Sequence, residues 1–185
     1  MTLTKTPICD FGKKAENFEL KSVEKKIVSL NDIKGKNGTL IMFICNHCPY
    51  VKAVINDIVK DSNILKKEGI NFVAIMSNDT KNYPEDSFEN MIKFSKKNNF
   101  NFPYLIDETQ EVAKAYGAVC TPDFFGYNSN LELQYRGRIR ELKELKPVKV
   151  GNSDLLSAMQ MVAQTGKGPE DQVPSMGCNI KWLDK

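Results

Sequence analysis

No apolar run in this 185-residue chain approaches the roughly 20 residues that a helix needs to span a bilayer, so no membrane partner is expected. Residues 1–19 are polar and charged and lack the apolar stretch of a secretory signal, which makes the cytoplasm the expected location. Charge of one sign is also missing. The net charge is only +3, and the lysines are interleaved with Asp and Glu as on a solvated helical face, so no nucleic-acid partner is expected. Internal repeats and low-complexity linkers are absent, and the length suits one domain over residues 1–185, with 166–185 as a Gly- and Pro-containing tail. Histidine occurs once, as His47, and tryptophan once, as Trp182.

What the chain does have is five cysteines. Without export they are not expected to form a structural disulfide framework, which leaves buried thiols, metal ligands or redox groups. The stretch Thr39-Leu40-Ile41-Met42-Phe43-Ile44-Cys45-Asn46-His47-Cys48-Pro49-Tyr50-Val51 separates these. It reads as an apolar strand that runs into Cys48-Pro49, with a helix opening at the proline, whose missing N–H has no partner in a first turn anyway. The Cys48 sulfur then sits beside the positive end of a helix, where thiolate is favoured over thiol. An exposed thiolate at the end of a sheet is a nucleophile.

The rest of the chain alternates strands and helices. Phe18-Glu19-Leu20 and Ile27-Val28-Ser29-Leu30 flank a charged turn and predict a β-hairpin. A helical turn over 31–35 precedes the strand at 39–44. Val51, Val54, Ile55, Ile58, Val59 and Leu65 recur at helical spacing up to Gly69. Residues 70–76 form a continuous apolar run, the pattern of a strand covered on both faces. Asp86-Ser87-Phe88-Glu89 resembles a helix-opening box. A strand at 102–106, a helix at 109–116, a hairpin of 123–127 with 133–137, and a final helix from Ser153-Asp154 to about residue 165 complete the order. This order describes an α/β sandwich with a mixed sheet.

Cys48-Pro49 at a strand-to-helix turn, together with Thr121-Pro122 before a later strand, resembles the thioredoxin superfamily. Tyr104-Leu105-Ile106-Asp107-Glu108-Thr109 and Ala113-Lys114-Ala115-Tyr116-Gly117 are similar to the AhpC/TSA redoxins. Phe43 to Val51, Cys120-Thr121-Pro122-Asp123 and the tail Gly177-Cys178-Asn179-Ile180-Lys181-Trp182 resemble the peroxiredoxin-like group within them. The resemblance implies a thioredoxin-like fold, with a mixed central sheet flanked by helices, an N-terminal β-hairpin and a C-terminal tail. It also implies that the Thr121-Pro122 bond is cis and faces Cys48. Two departures stand out. Val51 occupies the place of the second cysteine of a thioredoxin Cys-x-x-Cys. It also occupies the place where peroxiredoxins carry their peroxide-reactive cysteine. Cys48 therefore falls at the first, disulfide-attacking position.

On this reading Cys48 is the catalytic nucleophile, with Cys120 and Cys45 as candidate second thiols and Cys178 ranked below both. Cys9 is read as incidental. Pro49 and Tyr50 line the site, Pro122 shapes a groove for an extended substrate, and Thr121 offers backbone groups to pair with it as an added strand. His47 is read as a flat side chain packing over the site in preference to a proton-transfer group. Metal binding by Cys45, His47 and Cys48 is disfavoured, because neighbouring residues alternate in direction, and no metal or cofactor is expected. Arg136, Arg138 and Arg140 recur at period two and read as a charge-blunted edge strand, or as an anion-attracting wall near the thiolate. Asn78-Asp79 follows the carboxyl end of a strand and reads as a connection.

The function expected is thiol-disulfide exchange. Cys48 attacks a disulfide or an oxidised thiol, and a second thiol from Cys120, Cys45 or an external thioredoxin- or glutathione-type reductant releases the product. The alternatives are an antioxidant thiol peroxidase with Cys48 oxidised to sulfenic acid, or a non-catalytic binding or metallochaperone module.

Overall fold

The computed structural model describes residues 2–184. In chain order the elements are β1 (Leu3–Lys5), β2 (Glu19–Ser22), β3 (Ile27–Ser29), α1 (Leu30–Ile33), β4 (Gly38–Phe43), α2 (Pro49–Lys67) and β5 (Ile70–Met76). After a 3-10 turn at Pro84–Asp86 come α3 (Phe88–Lys97), β6 (Tyr104–Ile106), α4 (Glu111–Tyr116), β7 (Cys120–Thr121), β8 (Asp123–Asn128) and β9 (Leu133–Tyr135). The chain closes with the small hairpin β10 (Leu142–Lys143) and β11 (Lys146–Pro147), then α5 (Asp154–Thr165) and β12 (Met176–Asn179). Among the described residues no helix is long and apolar enough to cross a membrane.

The main sheet has seven strands in the order β3-β2-β6-β5-β4-β8-β9. β5 pairs in parallel with β4 and β6, whereas β4 and β8 are antiparallel, so the sheet is mixed. Every residue of β4 is buried, and the period-two alternation sorts its side chains between two layers. Leu40 and Met42 join the cluster that holds Val51, Val54 and Ile58 of α2 and Leu155 and Met159 of α5. Ile41 and Phe43 join the cluster of Ile33, Ala113 and Tyr116 from α1 and α4. Removing each such apolar side chain from water contributes about 1.5–3 kcal/mol, which fixes β4 and hence the start of α2. Ile44 extends the ladder by one bond, donating its N–H to the Ile75 carbonyl at 3.0 Å.

The predicted ends of α5 hold, while the start of α3 shifts by one residue. Ser153 accepts from the Leu156 N–H at the start of α5, and Gly166 closes that helix with a left-handed φ of 73°. At α3 the cap is Ser87, which accepts from the Asn90 N–H, while the Asp86 side chain turns elsewhere.

Two regions depart from the sequence reading. The tail supplies a strand, because β12 lies between β1 and β7 in a second, antiparallel three-stranded sheet. And β9 stops at Tyr135, so Arg136, Arg138 and Arg140 do not share a strand face. Arg136 is buried and pairs with Asp123 at 3.0 Å, Arg138 pairs with Asp154 at 2.7 Å, and Arg140 pairs with Asp57 at 2.9 Å. Each guanidinium is held by its own carboxylate, so the three form neither a blunted edge nor a single anion-attracting wall.

Candidate active site

The site lies where β4 hands over to α2. Pro49 occupies the first helical turn, and Cys48 is the N-cap residue with extended backbone, φ −63° and ψ 122°. Across from it the Thr121-Pro122 bond is cis. Cys48 Sγ lies 3.2 Å from the Thr121 carbonyl oxygen, as a thiol donating to it, and Cys45 Sγ lies 3.4 Å from the Thr121 hydroxyl.

A third sulfur completes the group. Cys178 Sγ is 3.1 Å from Cys48 Sγ, although the two residues are 130 positions apart. β12 brings it there, since Cys178 is the register partner of Thr121. Cys120 is the partner of Asn179, and its sulfur contacts the Pro122 carbonyl at 3.7 Å. Successive strand residues face opposite ways, so the tail offers Cys178 on the face where Cys120 does not project. Cys178, ranked below Cys120 and Cys45, thus has its sulfur in contact with that of Cys48, whereas the Cys120 sulfur is turned to the Pro122 carbonyl. Cys9 is half-buried and remote, and burial pushes its thiol up to about 11.

The electrostatics separate these thiols. Cys48 is lowered to about 5, first by the hydrogen bond from Cys45 and then by those from Cys178 and Thr121 and by the Val51 backbone N–H, against the cost of burial. The Val51 N–H belongs to the first turn of α2, so the helix end acts on the sulfur through that group and its neighbouring orphan N–H groups. The Thr121 carbonyl opposes the anion, but the donors outnumber it. Cys45 is raised well above the ordinary thiol range, first because it donates to Cys48. Cys178 is raised to about 12, first by burial and then by its bond to Cys48. Burial likewise raises Cys120.

Cys48 is also 0% exposed, which corrects the expectation of an open thiolate. β12 covers it. A cavity of about 390 Å³ opens alongside, lined by Tyr50, Val54, Pro122, Ile139, Leu142 and Met176 among others. Tyr50, which follows Pro49, and Pro122, across from Cys48, both face this space. Thr121, expected to pair with a substrate strand, is already paired with β12.

His47 is held from the far side. Its Nδ1 lies 2.7 Å from Asp86 Oδ2, and its ring stacks on Tyr83 at 5.9 Å with an interplanar angle of 7°. The imidazole pKa is raised, first by the hydrogen bond to Asp86. Asp86 is fully buried and also accepts from the Asn46 N–H and from Asn78 Nδ2, each at 2.8 Å. Asn78 in turn accepts from the Lys181 N–H, which ties the tail to this loop. Asp86, Tyr83 and Asn78 were not assigned site roles from the sequence, and Cys178 only the lowest-ranked one. Asp86 was legible only as part of a helix start, and Cys178 only through the tail motif.

Cys45, His47 and Asp86 place one ligand atom each within 4.8 Å of one another, a set that could meet a metal ion. All three donors are engaged, however. Asp86 accepts from three groups, His47 bonds Asp86, and Cys45 holds its proton toward Cys48.

Residues 11–142 match the profile of the AhpC/TSA family. A solved structure of an uncharacterized conserved protein from Geobacillus kaustophilus is 43% identical, covers 100% of this chain and 98% of its own, and superposes with a TM-score of 0.94. The curated protein "Thiol-disulfide oxidoreductase ResA" of Bacillus thuringiensis is 29% identical over 66% of this chain, and the match spans 66% of that protein, leaving the remainder of its length unmatched. The thioredoxin domain of a thiol-disulfide oxidoreductase from Bacteroides vulgatus, 17% identical with a TM-score of 0.58 over 68% of this chain and 86% of that one, shares the fold.

Proposed function

Starting from the finding that the chain belongs to the AhpC/TSA family, we propose that it is a thiol-disulfide oxidoreductase whose nucleophile is Cys48. One observation carries this reading: the Cys48 sulfur stands at the Pro49 helix start and faces the Thr121-Pro122 cis bond, 3.2 Å from the Thr121 carbonyl oxygen, in surroundings that lower its pKa to about 5. Thiolate is the attacking species in disulfide exchange, so at neutral pH this sulfur is already ionised while Cys45, Cys120 and Cys178 keep their protons. Cys48 Sγ attacks one sulfur of a substrate disulfide, a mixed disulfide forms, and the other substrate sulfur leaves as a thiolate that takes a proton from water. A further thiol then displaces the bound half. A substrate approaches over Tyr50 and Pro122 along the cavity beside them. An external dithiol returns the protein to its reduced state.

The test is reduction of a protein disulfide by dithiothreitol, followed with and without the protein. Wild type should accelerate it and Cys48→Ser should return the rate to background. A Cys48→Ser protein as active as wild type sinks the proposal.

The complete burial of Cys48 favours a second reading. A hydroperoxide is small enough to reach a covered sulfur. The thiolate would take its terminal oxygen, giving a sulfenic acid and, after protonation, an alcohol or water. Peroxide consumption driven by dithiothreitol, faster than protein-disulfide reduction, would favour it over the first.

A further inference from the structure

Resting on the reading of Cys48 as nucleophile, we propose that Cys178 is the resolving thiol and that the oxidised protein carries a Cys48–Cys178 disulfide joining the C-terminal strand to the start of α2. A Cys-x-x-Cys motif places its second thiol one helical turn on, and here Val51 stands in that place, so an internal second sulfur has to come from elsewhere in the chain. The tail supplies it. Cys178 Sγ is 3.1 Å from Cys48 Sγ, and both sulfurs are buried.

The approach is built into the strand pairing. β12 lies against Thr121, the residue before cis Pro122, and Gly177 makes the closest contact. A Cβ on Gly177 would fall 2.0 Å from the Thr121 carbonyl oxygen, so only glycine lets the strand come this near. β1 on the other side, with Leu3 opposite Cys178, holds the strand in register. Cys120 is occupied differently, its sulfur turned to the Pro122 carbonyl. Cys45 also bonds Cys48, but as the proton donor that lowers the nucleophile's pKa, and it contacts the Thr121 hydroxyl as well.

In the reduced protein the Cys178 and Cys48 sulfurs are in hydrogen-bond contact at 3.1 Å. Once Cys48 is in a mixed disulfide it carries no charge, so the hydrogen bond and charge of Cys48, which stand behind burial among the causes that raise the Cys178 thiol, no longer do so. Cys178 then gives its proton to solvent and its thiolate attacks Cys48 Sγ. The Cys48–Cys178 bond forms, the bond from Cys48 to the substrate sulfur breaks, and the substrate leaves as a thiolate. In sum, two electrons pass from the cysteine pair to the substrate disulfide, which becomes two thiols, and an external dithiol later reduces the pair. A sulfenic acid on Cys48 would be resolved by the same attack with water as the leaving group.

The test uses the reduced full chain carrying Cys9→Ser, which removes the half-buried thiol outside the site, and the aromatic disulfide 5,5′-dithiobis(2-nitrobenzoate). Attack by Cys48 releases one equivalent of coloured thiolate, and resolution releases a second. Two equivalents and a Cys48–Cys178 peptide in the non-reducing mass-spectrometric map are expected. Cys178→Ser and Cys178→Ala should each release half as much and retain the aromatic adduct on Cys48. A stable Cys48 adduct with Cys178 intact, or a map joining Cys48 to Cys45 or Cys120, overturns the role of Cys178 while leaving Cys48 as nucleophile. No modification of Cys48 at all overturns both. The map of the chain with Cys178 intact decides the matter even if the Cys178 variants fold poorly.

Discussion

Cys45 is the donor that sets the chemistry of Cys48. It keeps its proton and donates, which is the first cause of both the rise in its own pKa and the fall in that of Cys48. A variant with no donor should therefore move the nucleophile more than its distance from the substrate path suggests. Cys45→Ala is expected to raise the Cys48 midpoint from about 5 and to slow its alkylation at pH 6, whereas Cys45→Ser, which keeps an O–H donor, should stay close to wild type. Equal rates in all three proteins would remove Cys45 from this role. His47 runs on the opposite sign. Its folded pKa is raised by Asp86, so the ion pair stabilises the fold fully below the ordinary histidine value and that contribution fades as pH rises through the folded value. In Asp86→Asn the imidazole midpoint, followed by NMR, should fall, and the stability gain at acidic pH should shrink. An unchanged midpoint would mean that Asp86 does not hold the charge.

At the scale of elements, β12 is the cover of the site and Arg136 an anchor of the strand that follows cis Pro122. Gly177→Val places atoms against the Thr121 backbone, and overpacking of this kind typically costs about 1–3 kcal/mol. The expected result is a lower melting temperature together with faster reaction of Cys48 with a bulky maleimide, because the strand can no longer seat. A stable variant with unchanged labelling would show that β12 does not shield the sulfur. Arg136 neutralises Asp123, whose carboxyl burial pushes up to about 6 even with the guanidinium beside it. Arg136→Met leaves a buried carboxylate without its partner, for which about 3–5 kcal/mol of destabilisation is expected in urea unfolding. Elements whose own residues carry the signal were legible: the Pro49 start of α2, the apolar run of β5, the Ser153 and Gly166 ends of α5. β12 was not, because Met176-Gly177-Cys178-Asn179 is short and contains a glycine, and its partners lie at the chain start and at β7. Nothing local announces such a strand. The arginines misled for a related reason, since period two persists in the sequence after the ladder has ended at Tyr135.

For the molecule as a whole, the main sheet sets Cys48 at the start of α2 and the small second sheet brings Cys178 to it. The central strands β4 and β5 were readable because burial on both faces imposes continuous apolar residues, and the cysteine at the helix start followed from them. The second sulfur and the buried carboxylate behind His47 were not readable, since each reaches the site by long-range pairing: β12 against β7, and the loop after β5 against the turn at residues 45–47. This arrangement is expected to make Cys48 a thiolate nucleophile at neutral pH. The most direct measurement is a pH titration of thiolate absorbance near 240 nm on the reduced protein, with Cys48→Ser as the reference. A wave with a midpoint near 5 that is missing in Cys48→Ser is the expected result. A Cys48 midpoint at or above about 8.5, the value of an ordinary cysteine, would contradict it.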